Sequence, residues 1–391
     1  MHILIALTYY RPHYSGLTIY AERLARSLVA RGHRVTVLTS RFSKDLPRFE
    51  NCQGVEVIRL DVLMRISKGV IMPGILWWAL RLIRKVDVVN LHVPQLDAAP
   101  ISLIARLLRK PVVVTYHCDL LLPQGFIHAM ANRVSRLANH VSARSADVIV
   151  TNTRDYAENS AFLKQYLAKI RPVYPPVELA PVNEADVAAF RRKAKIEAGQ
   201  RIIGMVARLA TEKGVEYLLQ ALPVVLERYP QARVLFVGQY ENVLGEEQYA
   251  QKLKPLIEEL NDHWSFLGIL TPEELTVFFR EADVTVLPSI NETESFGMVQ
   301  VEAMTCGTPV IATDLPGVRV PVQVTGMGRV VAPADSQRLA QALLEVLSSP
   351  ADFNVDRSGT IREFSSTTVA QKYEAFFQEL AGTKKDRKGK N

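Results

Sequence analysis

The sequence predicts an α/β protein made of two tandem, doubly wound domains. At 391 residues the chain is long for one hydrophobic core and suits two domains of ordinary size. Short β-branched runs alternate with longer helical patterns, and strands that are apolar on both faces form parallel sheets covered by helices. Pro175 and Pro176 interrupt the alternation and favour an extended connector. We therefore predict one domain over residues 1–176 and a second over 177–365.

Each domain is predicted to contain five strands separated by helices. In the first domain, strands are expected over 2–7, 34–39, 86–91, 111–115 and 147–151, and helices over 17–31, 97–110 and 126–145. In the second domain, strands are expected over 202–206, 233–237, 264–267, 283–287 and 309–312, and helices over 214–229, 246–260, 271–280, 297–305 and 335–347. A last helix is predicted over 366–382 because its apolar residues recur at helical spacing. The basic residues 383–391 include no apolar side chain and are predicted to be a disordered tail.

The formal net charge of +7 hides a large asymmetry between the two halves. Residues 1–176 hold 24 Lys/Arg against 11 Asp/Glu, a net charge of +13. Residues 177–383 hold 18 against 28, a net charge of −10, and the remaining +4 lies in the last eight residues. The first domain therefore has the charge that suits an anionic partner.

The cysteines and the apolar runs predict in which cellular compartment the protein is located and whether it crosses a membrane. Cys52, Cys118 and Cys306 form no CxxC pair and are too few for a disulfide framework, which favours a reducing, cytoplasmic location. The N-terminal run MHILIAL has no basic leader and no cleavage site, so we expect a buried strand rather than a signal peptide. The longest apolar stretch, 70–80, is interrupted by a Pro-Gly pair and falls short of the roughly 20 residues that a bilayer requires. No transmembrane segment is predicted.

Residues 283–312 are the most informative segment, in which a strand, a polar loop and a helix follow one another. The helix is predicted to begin near Phe296 and Gly297, where free backbone N–H groups attract phosphate. Glu294 lies just before this helix and Glu302 roughly two turns into it. Carboxylates accept hydrogen bonds from hydroxyls, so a sugar nucleotide, which has both phosphate and sugar, suits the whole segment. The alternative for Glu294 is a helix-capping acid favoured by the helix dipole.

Two other strand ends carry candidate site residues. Arg208 and Lys213 follow the predicted strand 202–206, and two cations at such an end suit a diphosphate. The alternative is a solvated basic loop. His117 directly follows the predicted strand 111–115, where it is either a structural hydrogen-bonding residue or part of a site at the sheet edge.

Several enzyme classes are disfavoured by motifs that the sequence does not contain. Gly16 stands alone between the first strand and the first helix, where a nicotinamide dehydrogenase would have GxGxxG. The sequence also contains no DxD, HExxH, Walker A or GxSxG motif. A metal-clamped phosphate, a zinc hydrolase, a P-loop NTPase and a serine hydrolase are each disfavoured.

Four motifs occur in a characteristic combination. The most specific is E-x7-E, from Glu294 to Glu302, followed by Ala-Met and then Gly-Thr-Pro. The others are R-x4-K-G ending at Gly214, R-G-H-x-V over 31–35 and T-x-H ending at His117. Together they resemble the family 4 glycosyltransferases, retaining enzymes of the GT-B fold, over nearly the whole chain. The resemblance implies two Rossmann-like domains facing across a cleft, an N-terminal acceptor-side domain and a C-terminal donor-binding domain, with the last helix crossing back to the N-terminal domain.

The resemblance also implies roles for individual residues. Arg208 and Lys213 would neutralise the diphosphate of the donor in place of a metal ion. Glu302 would hold the ribose diol, and Glu294 would hold hydroxyls of the transferred sugar. The remaining implied donor contacts are the backbone N–H groups around Phe296, Gly297 and Met298, His117 toward the sugar, Gly16 in the first loop, and Gly238 and Ile269 near the nucleobase. The chain departs from the family's two adjacent glycines in the first loop, where it has Ser15-Gly16.

The reaction that this resemblance implies is a retaining, metal-independent transfer of a hexose, mannose or glucose, from a UDP- or GDP-sugar. No nucleophile for the opposite face of the sugar is evident, which favours front-face attack through an ion-pair-like transition state. No cofactor is expected besides the donor. Two alternatives stay open: a non-catalytic sugar-nucleotide-binding protein, and a GT-B phosphorylase or epimerase.

The basic first domain also contains a candidate membrane contact. Trp77 and Trp78 lie beside Arg81, Arg84 and Lys85, a composition that resembles an interfacial helix. This pattern predicts peripheral binding to an anionic inner leaflet and a glycan or lipid-linked acceptor. The alternative is a core tryptophan next to a solvated arginine face. No nucleic-acid-binding motif occurs, so no nucleic acid partner is expected.

Overall fold

The computed structural model describes residues 1–66, 69–119, 126–353 and 357–388. It divides into two compact units. The first unit comprises Met1–Pro176 and the C-terminal segment Phe364–Asn391, and the second comprises Val177–Glu363. The chain therefore leaves the first unit at Pro176 and returns to it at its last helix.

The first unit is built on a mainly parallel sheet. Its strands are β1 (His2–Ala6), β2 (Arg34–Arg41), β3 (Phe49–Cys52), β4 (Val55–Asp61), β5 (Met64–Ile66), β6 (Gly69–Ile71), β7 (Val88–Val93), β8 (Val112–Tyr116), β9 (Val148–Thr151) and β10 (Ile170–Pro172). The sheet has eight strands in the order β10-β9-β8-β7-β1-β2-β4-β3, of which β3 pairs antiparallel with β4. β5 and β6 form a separate two-stranded antiparallel sheet. The order of connection reverses between β1 and β7, so the loops after these two strands lie at the switch point of the sheet.

Helices cover both faces of this sheet because its central strands are apolar on both sides. They are α1 (Gly16–Ala30), α2 (Ile75–Ile83), α3 (Ala98–Leu107), α4 (Phe126–Ser145) and α5 (Arg154–Asn159). The Ser15 side chain accepts a hydrogen bond from the backbone N–H of Thr18 and so caps the start of α1. Tyr20, Leu24 and Leu28 then form the buried face of α1.

The second unit repeats the architecture with a fully parallel sheet. Its strands are β11 (Arg201–Val206), β12 (Ala232–Val237), β13 (Trp264–Gly268), β14 (Val284–Leu287), β15 (Val310–Thr313) and β16 (Gly328–Val331), in the order β13-β12-β11-β14-β15-β16. The helices are α6 (Glu184–Ala194), α7 (Val215–Arg228), α8 (Glu247–Glu259), α9 (Pro272–Glu281), α10 (Met298–Cys306), α11 (Val320–Thr325), α12 (Ser336–Ser348) and α13 (Arg357–Phe364). The switch point of this sheet lies between β11 and β14, which are direct neighbours.

The last helix, α14 (Ser366–Lys388), packs on α1 of the first unit. Val369, Tyr373 and Phe377 are buried in the same hydrophobic cluster as the inner face of α1. The sequence predicted a disordered tail from residue 383, whereas the backbone continues as helix through Lys388. The final part of that tail, residues 389–391, lies outside the described residues.

The predicted α/β architecture is confirmed, and every predicted strand and helix overlaps an observed one. The sequence missed several short or edge elements, among them β3, β10, β16 and α13, and it also missed the seven-residue strand β4 and the eleven-residue helix α6. β3 is an edge strand with the sequence FENC and mostly exposed side chains, so it lacks the continuous apolar run of a central strand. Among the described residues, no helix is long and apolar enough to cross a membrane.

Candidate functional site

The loops after β11 and β14 lie against each other at the switch point of the second unit. The backbone N–H of Ile290 donates to the carbonyl of Glu212 at 3.1 Å. Gly214 has a left-handed backbone with φ of 64°, and a Cβ added there would lie 2.2 Å from the carbonyl oxygen of Pro288. Only glycine therefore allows the two loops to approach this closely.

Lys213 and Glu294 meet at this junction. Nζ of Lys213 lies 2.6 Å from Oε2 of Glu294, and each side chain is 18% exposed. The sequence predicted both as site residues but in two separate segments, and the fold brings them together. An ammonium and a carboxylate are thus held at the edge of the sheet where doubly wound domains bind ligands.

Arg208 lies on the same loop after β11 and remains half exposed. Its guanidinium donates to Oε1 of Glu212 at 2.9 Å. The loop is held in place by Thr211, which donates to Oε2 of Glu246 from both its backbone N–H, at 3.0 Å, and its hydroxyl, at 2.7 Å. The half-exposed Arg208 can therefore exchange the Glu212 carboxylate for an anionic ligand without breaking the Thr211–Glu246 hydrogen bonds.

Helix α10 begins directly after the Glu294 loop. Gly297 precedes its first residue, Met298, with φ of 76°, and no side chain caps this end. A Cβ at Gly297 would lie 2.2 Å from Cδ2 of Leu287, so the helix start is pressed against the end of β14. The free N–H groups and the helix dipole make this end suitable for a phosphate or a sugar oxygen.

Two further residues fix the first turns of α10. The Gln300 side-chain amide donates to the carbonyl of Phe296 and, at 2.9 Å, to that of Val318. Glu302 follows Met298 by four residues, so the two side chains share one face of the helix, and Glu302 is buried. The sequence did not single out Gln300, although a polar residue between Val299 and Val301 was an available signal.

The two predicted nucleobase positions lie at the ends of β12 and β13. Gly238 has φ of 126°, and a Cβ there would lie 2.0 Å from the carbonyl of Ala207. Its N–H donates to the carbonyl of Gly268 at 2.8 Å. The next residue, Ile269, has a side chain that is 80% exposed. The end of β12 thus lies against the loop that carries Arg208, and the residue hydrogen-bonded to Gly238 is followed in the chain by the exposed Ile269.

Gly16 and His117 belong to the first unit. Gly16 is the first residue of α1, and its neighbour Ser15 is engaged in the capping box with Thr18. The serine that departs from the family's glycine pair therefore has a local structural role. The free N–H groups of this helix start lie in the loop after β1, at the switch point of the first sheet.

His117 is buried and paired with a second histidine. Its Nε2 lies 2.9 Å from Nδ1 of His92, and its ring meets that of Tyr20 edge to face. Burial lowers the pKa of His117 to about 3 and that of His92 well below its ordinary value. Both imidazoles are therefore neutral near pH 7. His92 was missed from the sequence, although Asn90 and His92 are polar residues at period two in a buried strand.

Two family models match this chain. The model described as Glycosyl transferase 4-like domain matches residues 15–176, and the one described as Glycosyl transferases group 1 matches residues 186–359. Between them they cover both units. The chain is a group 1 glycosyltransferase. The resemblance inferred from the motifs is thereby confirmed.

This glycosyltransferase is similar to an uncharacterized glycosyltransferase of Methanocaldococcus jannaschii, with 26% identity over 352 residues that cover 85% of each chain. Among solved structures, it resembles sucrose-phosphate synthase from Thermosynechococcus elongatus with a TM-score of 0.77 and 22% identity, over 98% of this chain and 99% of the other. It also resembles HepE of Anabaena in complex with UDP-glucose, with a TM-score of 0.75 and 20% identity, over 97% of this chain and all of the other. The glycosyltransferase has the GT-B fold.

The R-G-H motif of the glycosyltransferase holds its last helix. Gly32 ends α1 with φ of 84°, and Arg31 and His33 on either side reach Glu374 of α14. Nε of Arg31 lies 2.6 Å from Oε2 of Glu374, and Nε2 of His33 lies 3.1 Å from Oε1. Hydrogen bonds from Arg31, and then from His33, lower the pKa of Glu374. This motif is therefore structural in the first unit.

Helices α2 and α3 of the glycosyltransferase contact each other and expose apolar side chains. We call this surface the α2–α3 face; it comprises Leu76, Trp77, Arg81, Leu103 and Leu107. Trp77 is 56% exposed, and the guanidinium of Arg81 lies 5.3 Å from the centre of its ring. The other predicted contact residues differ, because Trp78 packs partly against the core whereas Arg84 and Lys85 are exposed.

The described residues contain no group of three or more His, Cys, Asp or Glu side chains that could hold a metal ion. In the second unit, the candidate site consists of the cations Arg208 and Lys213, the carboxylates Glu294 and Glu302, and the uncapped start of α10.

Proposed function

We propose that this glycosyltransferase transfers a hexose, glucose or mannose, from a UDP- or GDP-sugar with retention of anomeric configuration and without a metal ion. The observation that carries the proposal is the Lys213–Glu294 pair at the switch point of the second unit. A cation suits the diphosphate and a carboxylate suits sugar hydroxyls, so the two groups together match the two halves of a sugar nucleotide.

The diphosphate is bound by cations of the chain. Lys213 supplies a compact charge with three donors, and Arg208 supplies a planar fork that matches two phosphate oxygens. The start of α10 adds backbone N–H groups near Gly297 and Met298. These groups stabilise the charge that develops on the leaving nucleoside diphosphate, which is the task that a metal ion performs in other transferases.

The carboxylates and the strand ends bind the rest of the donor. Glu294 accepts hydrogen bonds from hydroxyls of the transferred sugar, and buried Glu302 accepts them from the ribose diol. The nucleobase is proposed to pack against Gly238, at the end of β12, and the exposed Ile269. The similarity to the UDP-glucose complex of HepE supports UDP-glucose as the first donor to test.

Retention is proposed to occur by front-face attack. Glu294 is neutralised by Lys213, which suits a group that binds hydroxyls and stabilises charge better than a nucleophile. His117 is neutral, so it serves as a hydrogen-bonding partner of the sugar rather than as a general acid. The acceptor hydroxyl then loses its proton to the leaving phosphate oxygen as the new glycosidic bond forms.

The acceptor is proposed to be a glycan or lipid-linked molecule at the anionic cytoplasmic face of a membrane. The exposed tryptophan and leucines of the α2–α3 face, with Arg81 beside them, have the composition of an interfacial surface. The high net charge of the first domain supports an anionic surface. A phosphorylated sugar is the second candidate because the similar sucrose-phosphate synthase carries such a product in its name.

The donor is identified by thermal-shift screening with UDP-, GDP- and ADP-sugars in the presence of a metal chelator. A ligand at 100 times its dissociation constant stabilises the protein by about 2.7 kcal/mol, so the correct donor gives a clear shift. Release of free nucleoside diphosphate from that donor then separates a transferase from a silent binding protein, and inorganic phosphate dependence or epimer formation reveals a phosphorylase or epimerase. Strict dependence on an added divalent metal would contradict the proposed mechanism.

A further inference from the structure

A continuous path of hydrogen bonds runs through the interior of the first unit to His117. The Tyr20 and Tyr373 hydroxyls lie 2.9 Å apart, and Tyr373 lies 2.9 Å from Oγ1 of Thr115. The path continues from Thr115 to Oδ1 of Asn90 at 2.9 Å, and from Nδ2 of Asn90 to Nε2 of His92 at 3.3 Å. It ends with Nδ1 of His92 at 2.9 Å from Nε2 of His117.

The side-chain amide of Asn90 gives this path a direction. Its Oδ1 only accepts, so the Thr115 hydroxyl donates its single proton to it. The Tyr373 hydroxyl must then donate to Thr115, and Tyr20 must donate to Tyr373. Each hydroxyl of the path therefore donates toward the Asn90 amide.

The Asn90 amide also fixes the positions of the protons on the two histidines. Nδ2 of Asn90 only donates, so Nε2 of His92 accepts and the proton of that neutral ring lies on Nδ1. This Nδ1–H donates to Nε2 of His117, which places the proton of His117 on its own Nδ1. His92 is completely buried and His117 is 8% exposed, both rings meet Tyr20 edge to face, and both imidazoles are neutral near pH 7.

We propose that Thr115, Asn90 and His92 are positioning residues that hold His117 as its Nδ1–H tautomer. This inference rests on the proposed function, in which His117 hydrogen-bonds the transferred sugar. In this tautomer His117 offers the sugar an N–H donor and not an acceptor. The hydrogen-bonded path fixes Nδ1 of His117 as a donor before the substrate binds, so no proton has to move within the site.

The last helix contributes one residue to this path of hydrogen bonds. Tyr373 lies on α14, Tyr20 on α1, and Thr115 and Asn90 on neighbouring strands β8 and β7. The C-terminal segment of the chain therefore supplies one hydroxyl of the path. Its return to the first unit is needed to complete the hydrogen bonds of Thr115.

The test determines the tautomers of His92 and His117 by NMR in the protein without any ligand. In the full-length protein labelled with ¹⁵N-histidine, two-bond ¹H–¹⁵N correlation spectra near pH 7 distinguish Nδ1–H from Nε2–H rings. Assignment of the signals uses the His92→Gln and His117→Gln variants. We expect both rings to be protonated on Nδ1 alone. A spectrum with His117 protonated on Nε2 would overturn the inference.

Thr115→Val tests the effect of the path on activity, because valine keeps the shape of the side chain and removes the hydroxyl that orients Asn90. We expect its His117 signal to change from a single tautomer to a mixture or to Nε2–H. We also expect kcat to fall roughly 3- to 10-fold, as for loss of one neutral hydrogen bond, while the KM for the acceptor stays unchanged. The matched control is Thr36→Val on β2, where Thr36 donates to Glu56 at 2.9 Å outside this path; its tautomers and kcat should remain those of the wild type.

The outcomes separate this inference from the proposed function. An active transferase with His117 protonated on Nε2 contradicts the inference alone. A chain that holds the predicted tautomer but releases no nucleoside diphosphate from any sugar nucleotide contradicts the proposed function alone. A loss of activity in Thr115→Val with an unchanged tautomer would contradict the positioning role, and melting temperatures check that both threonine variants are folded.

Discussion

Nζ of Lys213 lies 2.6 Å from Oε2 of Glu294, and this ion pair joins the loops that follow two neighbouring strands of the second sheet. Both side chains are mostly buried, so neither charge is well solvated if its partner is removed. A bound diphosphate would offer Lys213 a stronger anionic partner. The pair therefore keeps the ammonium and the carboxylate in place for a ligand that needs both.

Lys213→Ala is expected to abolish transfer while the fold is kept. Loss of one group that stabilises transition-state charge typically lowers kcat about 10²- to 10³-fold. The measurement is release of nucleoside diphosphate, with circular dichroism as the folding check. The matched control is Lys193→Ala, because Nζ of Lys193 also lies 2.6 Å from a glutamate oxygen, that of Glu274, in an exposed pair. Near-normal turnover in Lys213→Ala would contradict the site.

Glu294→Ala is expected to abolish transfer as well, because the sugar hydroxyls lose their acceptor and Lys213 loses its partner. Glu294→Gln keeps the shape and separates the two effects, since an amide can still accept a hydrogen bond but carries no charge. Turnover of each variant with the donor identified by thermal shift is the measurement. Glu274→Gln serves as the control, and wild-type turnover in Glu294→Ala would refute the role assigned to this carboxylate.

Gly297→Ala is expected to destabilise the second unit and to weaken donor binding. Gly297 has a positive φ of 76°, and its added Cβ would meet Leu287 at 2.2 Å. Gly245→Ala is the matched control, because Gly245 has a similar φ of 81° but nothing within 4 Å of its added Cβ. Gly245→Ala should thus show only the backbone strain, roughly 1 kcal/mol, and bind the donor normally. Calorimetric titration of donor binding and thermal melts test the difference, and equal effects in both variants would contradict it.

The sequence could predict the regular core and the site residues but not their partners. Continuous apolar runs such as those of β11 and β12 identify buried parallel strands by themselves. The E-x7-E and R-x4-K-G motifs identified Glu294 and Lys213 as site residues, yet their ion pair depends on β11 and β14 being neighbours in the sheet. That adjacency is a property of the topology and is not encoded in the local pattern.

The hydrogen bonds that lead to His117 also could not be predicted from the sequence. Asn90 and His92 lie 25 residues from Thr115 and His117, and Tyr373 lies 258 residues from Thr115. Each of these polar residues could be noticed in an apolar segment, but only the parallel pairing of β7 with β8 and the docking of α14 place them in contact. Their shared role could not be predicted from spacing along the chain.

Acid is expected to destabilise the first unit through its buried histidines. The folded-state pKa of His117 is about 3, below the ordinary value of 6.5, so below pH 6.5 the unfolded chain binds a proton that the native state does not. The free energy of unfolding therefore falls as pH decreases from 6.5, by about 1.4 kcal/mol per pH unit for each such histidine. His92, whose pKa is also lowered, adds a change of the same sign.

Urea unfolding at about pH 7.5 and pH 5.5 measures this effect. A Trp264→Phe background leaves Trp77 and Trp78, so the fluorescence reports on the first unit. His117→Asn removes one titrating group and should reduce the loss of stability between the two pH values by about 1.4 kcal/mol. Equal losses with and without His117 would show that its pKa is the same in the native and unfolded states, which would contradict the lowered pKa.

The α2–α3 face is expected to bind anionic membranes. Trp77 and the exposed leucines supply an apolar surface, and Arg81 next to Trp77 supplies charge, so binding should combine insertion at the interface with attraction to acidic lipid. Cosedimentation with vesicles of anionic or neutral lipid at low and physiological salt measures it. Trp77→Ser should reduce binding at both salt concentrations, whereas Arg81→Gln should act mainly at low salt, because screening weakens a charge but not an apolar contact.

The matched control for Trp77→Ser is Leu244→Ser, since Leu244 is exposed to 91% but lies in the second, acidic half of the chain. Its vesicle binding should equal that of the wild type. Transfer to a water-soluble acceptor should be unaffected in Trp77→Ser, because the substitution lies outside the donor site. Equal binding of the wild type to neutral and anionic vesicles, or unchanged binding in Trp77→Ser, would refute the membrane contact and favour a soluble phosphorylated acceptor.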